Sequence, residues 1–246
     1  MVLDLEIVNN PRVLVAVGSG LRPDVGKPHE ESILRTPFST KLDRLVEAFK
    51  KHSPGDDVIP YRDELPPRCP PHLEVPYAFK AYAIEEAIRR GYRYILWVDS
   101  SVIPILPLQP MWDLVVEQGY WIPKNQGWNC GQWTCDSALE LLGITREEAF
   151  DIPQIAATAF CLDVQNDTAL EFYLEYSRLA RNGSFCGSWI NDKQQASGDR
   201  RVLVHRHDQT AASVAAYRLG MTLTEQPKIF TDSPRPGDGT LMVVSR

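Results

Sequence analysis

Tyr94-Ile95-Leu96-Trp97-Val98-Asp99-Ser100-Ser101 is the stretch that decides the fold. Its apolar run, from Tyr94 to Val98, reads as a strand buried on both faces, as in a parallel sheet covered by helices. The run stops abruptly at a carboxylate followed by two hydroxyls. In open α/β sheets, ligands bind outside the carboxyl ends of the strands, so Asp99, Ser100 and Ser101 are placed where a ligand would sit. A carboxylate there can hold a divalent cation or accept from hydroxyl groups, or it can simply cap the following loop.

Working outward, the alternation of strand and helix signals supports an α/β chain. Arg12–Gly18 is a short apolar run closed by Gly18-Ser19-Gly20, a first strand with its ligand-edge turn. Leu42, Leu45, Val46 and Phe49 give one helical face, with Thr40 as N-cap and Asp43 placed to complete a capping box. Asp57–Tyr61 reads as a short strand. The prolines between Pro66 and Pro76 forbid a helix or a central strand, and the flanking alternation favours a loop folded over the site rather than a linker. Pro76 opens a helix that stops at Gly91, with Tyr77, Ala81, Ile84 and Ile88 as its inner stripe. Glu85 with Arg89 and Glu86 with Arg90 are i,i+4 pairs on its outer face. Further on, 107–119 reads as a helix, 120–123 as a short strand and 124–136 as a polar, aromatic loop. Thr158–Asp163 reads as a buried strand, followed by a helix over 167–181 with Leu170, Tyr173, Leu174 and Ser177 on one face. The last helix runs from 208 or 209 to Leu219, with Gly220 as its stop. The tail after Met221 is expected to wrap the surface.

Composition narrows the function classes. A chain of 246 residues with 43% hydrophobic and 24% charged residues is ordinary for a globular protein. A net charge of −6 provides no global field for nucleic acid or an anionic membrane. No apolar run is long enough to span a bilayer, and the acidic start, Met1-Val-Leu-Asp-Leu-Glu, lacks a basic leader, so a cytoplasmic protein without a membrane partner is expected. The five cysteines are odd in number and scattered, and are read as reduced. Cys130 and Cys135 lack a histidine at finger spacing, which argues against zinc. There is no P-loop, no GxGxxG after the first strand and no GxSxG elbow.

Three polar groups remain near predicted strand ends. Besides Asp99-Ser100-Ser101, there is His205-Arg206-His207-Asp208-Gln209, between an apolar run and a helix start. Imidazoles and a carboxylate can join Asp99 around a metal, and a helix N-terminus favours a diphosphate; Asp208 as a plain N-cap is the alternative. The third is the 124–133 segment, where Lys124, Asn125, Trp128 and Trp133 combine hydrogen-bonding edges with flat faces suited to a sugar or a base. Trp128 and Trp133 can equally anchor a long loop to the core.

This succession of an apolar strand ending in Asp99-Ser100-Ser101, the strand 158–163, and His207-Asp208-Gln209-Thr210-Ala211-Ala212 resembles the GT-A glycosyltransferases. The last motif is similar to the closing motif of the yeast-type galactosyl- and mannosyltransferase family. The resemblance spans roughly residues 12–220 and implies a single α/β, Rossmann-like domain. Its sheet would be mixed but mostly parallel, with helices on both faces. Residues 12–104 would form the nucleotide-binding half, 105–220 the acceptor half and 221–246 a surface tail. It implies a nucleotide-sugar donor, most naturally a UDP-sugar, with Mn2+ or Mg2+ held by Asp99, Ser101 and His207. The family carries Asp-x-Asp where Ser101 stands here, which opens the alternative of a metal-free enzyme. Gly18, Ser19 and Arg22 would meet the nucleotide base, and Asp99 and Ser100 the ribose or metal. Lys80, unless it is a solvated helix lysine, and His205 would meet the diphosphate. Asp208 and Gln209 would lie beside the transferred sugar, and Asp208 or Asp192 would serve as base if the reaction inverts.

The acceptor left open by the residues is a saccharide, a small molecule, or a 5-hydroxymethylated pyrimidine in phage-type DNA. Arg200, Arg201, Arg206 and the Arg89, Arg90 and Arg93 cluster are the local charge a DNA acceptor would need. A non-catalytic nucleotide-sugar or glycan binding module of the same fold is the second reading, supported by Ser101. A sugar nucleotidyltransferase would need a richer glycine and lysine loop than Gly18-Ser-Gly-Leu-Arg22.

Overall fold

The strand read from residues 94–98 is the middle strand of a five-stranded sheet. A computed structural model describes residues 10–18, 38–187, 196–225, 230–231 and 239–244. β1 (Arg12–Gly18) lies between β2 (Asp57–Arg62) and β3 (Tyr94–Val98), all parallel. The sheet continues through an antiparallel strand, β8 (Ala159–Asp163), to β5 (Tyr120–Trp121), which is antiparallel to β8. The sheet is therefore mixed and mostly parallel. Three shorter strands form a second sheet, in which β4 (Val102–Pro104) pairs antiparallel with β10 (Met242–Val244), and β10 runs parallel to β9 (Phe230–Thr231). β6 (Lys124–Asn129) and β7 (Pro153–Ile155) form an antiparallel pair.

Period-two side-chain alternation divides the core into two layers. Val13, Val15 and Val17, Ile95 and Trp97, and Phe160 and Leu162 point to one side. There they meet α2 (Phe79–Arg89), α6 (Asp167–Arg181) and α7 (His207–Arg218) through Ile84, Phe172, Tyr176 and Ala215. Leu14, Ala16, Leu96, Val98, Ala159 and Cys161 point to the other side. They pack on Leu42, Leu45 and Phe49 of α1 (Phe38–His52) and on Met111, Trp112 and Val115 of α3 (Gln109–Gln118). Helices thus cover both faces, which explains why β3 is an unbroken apolar run. Burying each of these large side chains contributes roughly 1.5–3 kcal/mol. Trp112 keeps its indole N–H paired, donating to Ser53 Oγ at 2.9 Å. The short helices α4 (Asp136–Leu142) and α5 (Arg146–Asp151) close the side of the molecule near β6 and β7.

Several expectations shift in detail. α1 begins at Phe38, so Thr40 lies inside it, and Asp43 forms a bidentate pair with Arg62 of β2 instead of a capping box. The helix after the prolines starts at Phe79 because Tyr77 takes a left-handed conformation (φ 59°) and its N–H is held by His72 Nδ1 at 3.1 Å. The predicted loop 124–136 is largely the strand β6 and a 3-10 turn, Cys130–Gln132. Leu174 is exposed on α6, whose inner face is instead Phe172, Tyr173, Tyr176 and Ser177. The tail is not confined to the surface: Leu241 and Met242 are buried. All five cysteines are free, as expected.

Candidate active site

Lys80, Asp99 and Asp208 come from α2, the end of β3 and the first turn of α7, and meet at the carboxyl edge of the sheet. Asp99 is pinned there by its own backbone. Its N–H donates to Thr158 O at 2.8 Å across to the β8 side, and its carbonyl accepts from Val102 N at 2.9 Å to close the turn through Ser100 and Ser101. Lys80 lies on the inward face of α2, 3% exposed. Its ammonium has three protons and meets three acceptors. These are Ala157 O at 2.9 Å, Asp208 Oδ2 at 2.9 Å and Asp99 Oδ1 at 3.2 Å. Trp97 Nε1 also donates to Asp99 Oδ1 at 3.1 Å, and the Tyr176 hydroxyl lies 3.4 Å from Asp208 Oδ2.

The two carboxylates are not equivalent. The Asp208 side chain is 6% exposed, whereas that of Asp99 is 28% exposed. Asp99 Oδ2 makes no hydrogen bond among the described residues, so it is the oxygen a ligand would meet. Burial opposes charge on Lys80, but Asp208 and then Asp99 outweigh it and hold the ammonium above its ordinary pKa. Burial raises the pKa of Asp99 and of Asp208, and Lys80 offsets this only in part. With all three groups ionised, the cluster carries a net single negative charge.

Backbone strain borders this cluster on two sides. Tyr77 (φ 59°) and His207 (φ 45°) are left-handed without being glycine, at roughly 1–2 kcal/mol each, a conformation that gathers at functional sites. Their rings lie 5.6 Å apart, and Lys80 Nζ is 5.4 Å from the Tyr77 ring. His72, from the proline-rich segment, packs against Tyr77 at 4.9 Å, so the end of that loop reaches the site as expected. The turn at His207 also places Asp208 inside the helix rather than at its cap, a position held by Arg206.

The sequence-predicted residues divide between those gathered here and those placed elsewhere. Lys80 is no solvated helix lysine; it is the hub of the cluster. Gln209, next to Asp208, donates from Nε2 to Gln154 Oε1 at 2.6 Å. His205 and His207 lie 4.7 Å apart, and His207 Nδ1 is 2.9 Å from Phe185 O. Burial pushes the His205 imidazole down to about 3, aided by His207, and burial lowers His207 as well. Both rings are therefore neutral at neutral pH and cannot balance the charge of a diphosphate, and the diphosphate contact expected of His205 is not supported: its ring is 3% exposed and its Nε2 is buried. Among the described residues, no three His, Cys, Asp or Glu side chains gather as a metal-binding group. Of the three residues expected to hold a metal, Asp99 is engaged by Lys80, Ser101 is half-buried and His207 is buried.

The predicted acceptor group forms a separate wall. Lys124 pairs with Glu225 at 2.8 Å, Asn125 is half-buried, and Trp128 meets Trp133 edge-on at 4.7 Å. This wall is tied to α7, since Trp133 O accepts from Thr210 Oγ1 at 2.8 Å and from Arg206 N at 3.0 Å. Gly18 closes β1 beside Arg62. Ser19, Arg22 and Asp192 lie outside the described residues. Tyr77 and Trp97 were read in the sequence only as parts of a helix stripe and a buried strand, and Gln154 and Tyr176 were not singled out, because no local pattern marks a contact made across distant elements. A cavity of about 320 Å3 lined by Ile144, Glu148, Val214 and Tyr217 lies apart from these groups.

No protein-family model matches the chain, and no curated protein is significantly similar to it. Among solved structures, the chain is similar to a glycosyltransferase involved in the glycosylation of the major capsid of PBCV-1. The identity is 14% and the TM-score 0.49, over 95% of this chain and 92% of that one.

Proposed function

We propose that the chain is a glycosyltransferase that moves a sugar from a nucleotide-sugar, a UDP-sugar in the first instance, to an acceptor hydroxyl. The observation that carries this reading is the Asp99–Lys80–Asp208 cluster at the carboxyl edge of β3, with one oxygen of Asp99 open. Lys80 fixes both carboxylates, so Asp99 offers Oδ2 to a ribose hydroxyl or a divalent cation without rearrangement. A divalent cation held by Asp99 and Ser101 would supply the charge that stabilises the departing nucleoside diphosphate. On this reading Asp208 and Gln209 would lie beside the transferred sugar, and Trp128, Trp133, Lys124 and Asn125 would offer the acceptor stacking faces and hydrogen bonds. Asp192 or Asp208 would take the acceptor proton in an inverting reaction. The 207–212 segment resembles the closing motif of the yeast-type galactosyl- and mannosyltransferases, which agrees with this reading.

One observation favours a binding module over an enzyme. Asp208, a proposed proton acceptor, is 6% exposed and already engaged by Lys80. Calorimetry with UDP, GDP and their sugar esters, with and without manganese, tests the shared donor reading. A nucleotide-release assay separates the two. For an enzyme, Asp99→Asn is expected to reduce turnover about 100-fold or more with little change in melting temperature. Binding without turnover in the unaltered chain would favour the module, and absence of binding to every nucleotide-sugar would sink both.

A further inference from the structure

Gln154 on β7 has no exposed surface, yet it is an amide with unfinished hydrogen bonding. Its Oε1 accepts from Gln209 Nε2 at 2.6 Å, while its own Nε2 is buried and makes no hydrogen bond among the described residues. Leaving a buried donor unmatched is costly. An apolar side chain of the same volume would avoid that cost, so the amide's use is to be sought in what it holds. The same short segment is tied to the site at two more points. Ile155 N donates to Ser213 Oγ on α7 at 3.0 Å, and Ala157 O accepts from Lys80 Nζ at 2.9 Å.

Gln209 follows Asp208 in the first turn of α7 and is half-buried. Because its Nε2 is drawn inward to Gln154, its Oε1 is left without a hydrogen bond among the described residues. Anchored in this way, the amide presents an acceptor beside Asp208 rather than rotating freely. We propose that Gln154 is a positioning residue that sets the Gln209 amide to accept from a hydroxyl of the donor's sugar. The inference rests on the glycosyltransferase reading and goes beyond it by separating sugar recognition from nucleotide recognition.

The test is calorimetry on the full chain with UDP and UDP-galactose, and with GDP and GDP-mannose as a second pair. Gln154→Met keeps length and volume but removes the acceptor. It is expected to weaken the bound nucleotide-sugar about tenfold and leave the parent nucleoside diphosphate unchanged. Gln209→Met should lose the same, and the double variant no more than either alone. Equal weakening of both ligands, no weakening of either, or additive losses would overturn the positioning role and leave the glycosyltransferase reading intact. If the unaltered chain binds none of the four, that reading falls and this inference with it. Should Gln154→Met fail to fold, Gln154→Asn, which withdraws the acceptor by one methylene, takes its place: the nucleotide-sugar alone should weaken, and any of the same contrary results would overturn the role.

Discussion

His205 is 3% exposed, and its ring fits only because residue 187 is glycine: a Cβ there would lie 2.2 Å from His205 Cδ2. Its Nδ1 accepts from Cys135 N at 3.4 Å, which requires that nitrogen to be unprotonated. The consequence is a definite pH dependence. Above the ordinary value of 6.5 the imidazole is neutral in folded and unfolded chains alike, and its contribution to stability is complete. As the pH falls from 6.5 toward about 3, the unfolded chain takes a proton that the folded one refuses, and stability is lost. His207 moves the same way. Asp99 and Asp208 oppose it, because their folded pKa values are raised above 3.8 and the folded chain gains stability on the same descent. The His205 contribution to the urea midpoint should therefore fall between about pH 7.5 and about pH 5, whatever the two aspartates add. His205→Asn lowers stability throughout by leaving the ring's volume empty, but it should flatten that fall. An unchanged slope in the variant would show that His205 is not the group responsible.

Between elements, one close contact couples the end of one helix to the start of another. Gly119 ends α3 with φ 90°, and a Cβ there would lie 2.3 Å from Asn166 Cγ. Asn166 is the N-cap of α6, its Oδ1 accepting from Ala169 N at 3.1 Å. Gly119→Ala should cost about 1–3 kcal/mol, combining left-handed strain with loss of that cap. Asn166→Ala alone should cost about 1 kcal/mol, and the double variant clearly less than the sum, since the cap can be lost only once. Additivity within about 0.5 kcal/mol in urea unfolding would rule the coupling out. The glycine stops at Gly91 and Gly220 were legible in the sequence because a helix end is a local event, as were β1, β3 and the Glu85–Arg89 and Glu86–Arg90 pairs, observed at 3.3 and 2.8 Å. Asp99 was legible for the same reason, since the run that breaks is its own. Lys80 was ambiguous: α2 alone does not say whether its inward face will meet two carboxylates from residues 99 and 208. Gln154 carried no signal, because a three-residue strand has no period to read. The strand β6 was hidden by its polar, glycine-bearing sequence, whose ladder partner β7 lies beyond two helices.

Over the whole molecule, the sequence offered basic residues that a DNA acceptor would need, and the fold spends most of them on carboxylates. Arg89 pairs with Glu85, Arg90 with Glu86 and Arg93 with Asp163, the last at 2.8 Å. Arg201 joins Asp199 at 2.7 Å and Glu147 at 2.6 Å, while Arg206 lies over the Trp133 ring at 4.6 Å. Exposed pairs of this kind add little to stability, but they weaken the local field that would draw a polyanion to the surface. The chain carries −6 overall. No described helix is long and apolar enough to cross a membrane. On the proposed glycosyltransferase reading, the pairing of these arginines argues for an uncharged hydroxyl acceptor, a saccharide or small molecule, with Trp128 and Trp133 as the proposed contacts. The acceptor KM should then change by less than about threefold between 50 and 200 mM salt, because no phosphate contacts release counterions. A DNA acceptor held by six to ten phosphate contacts would instead lose roughly 1,000-fold or more over the same range. A steep salt dependence measured with hydroxymethylated duplex as acceptor would reverse this reading, and would require a basic surface formed by residues outside those described.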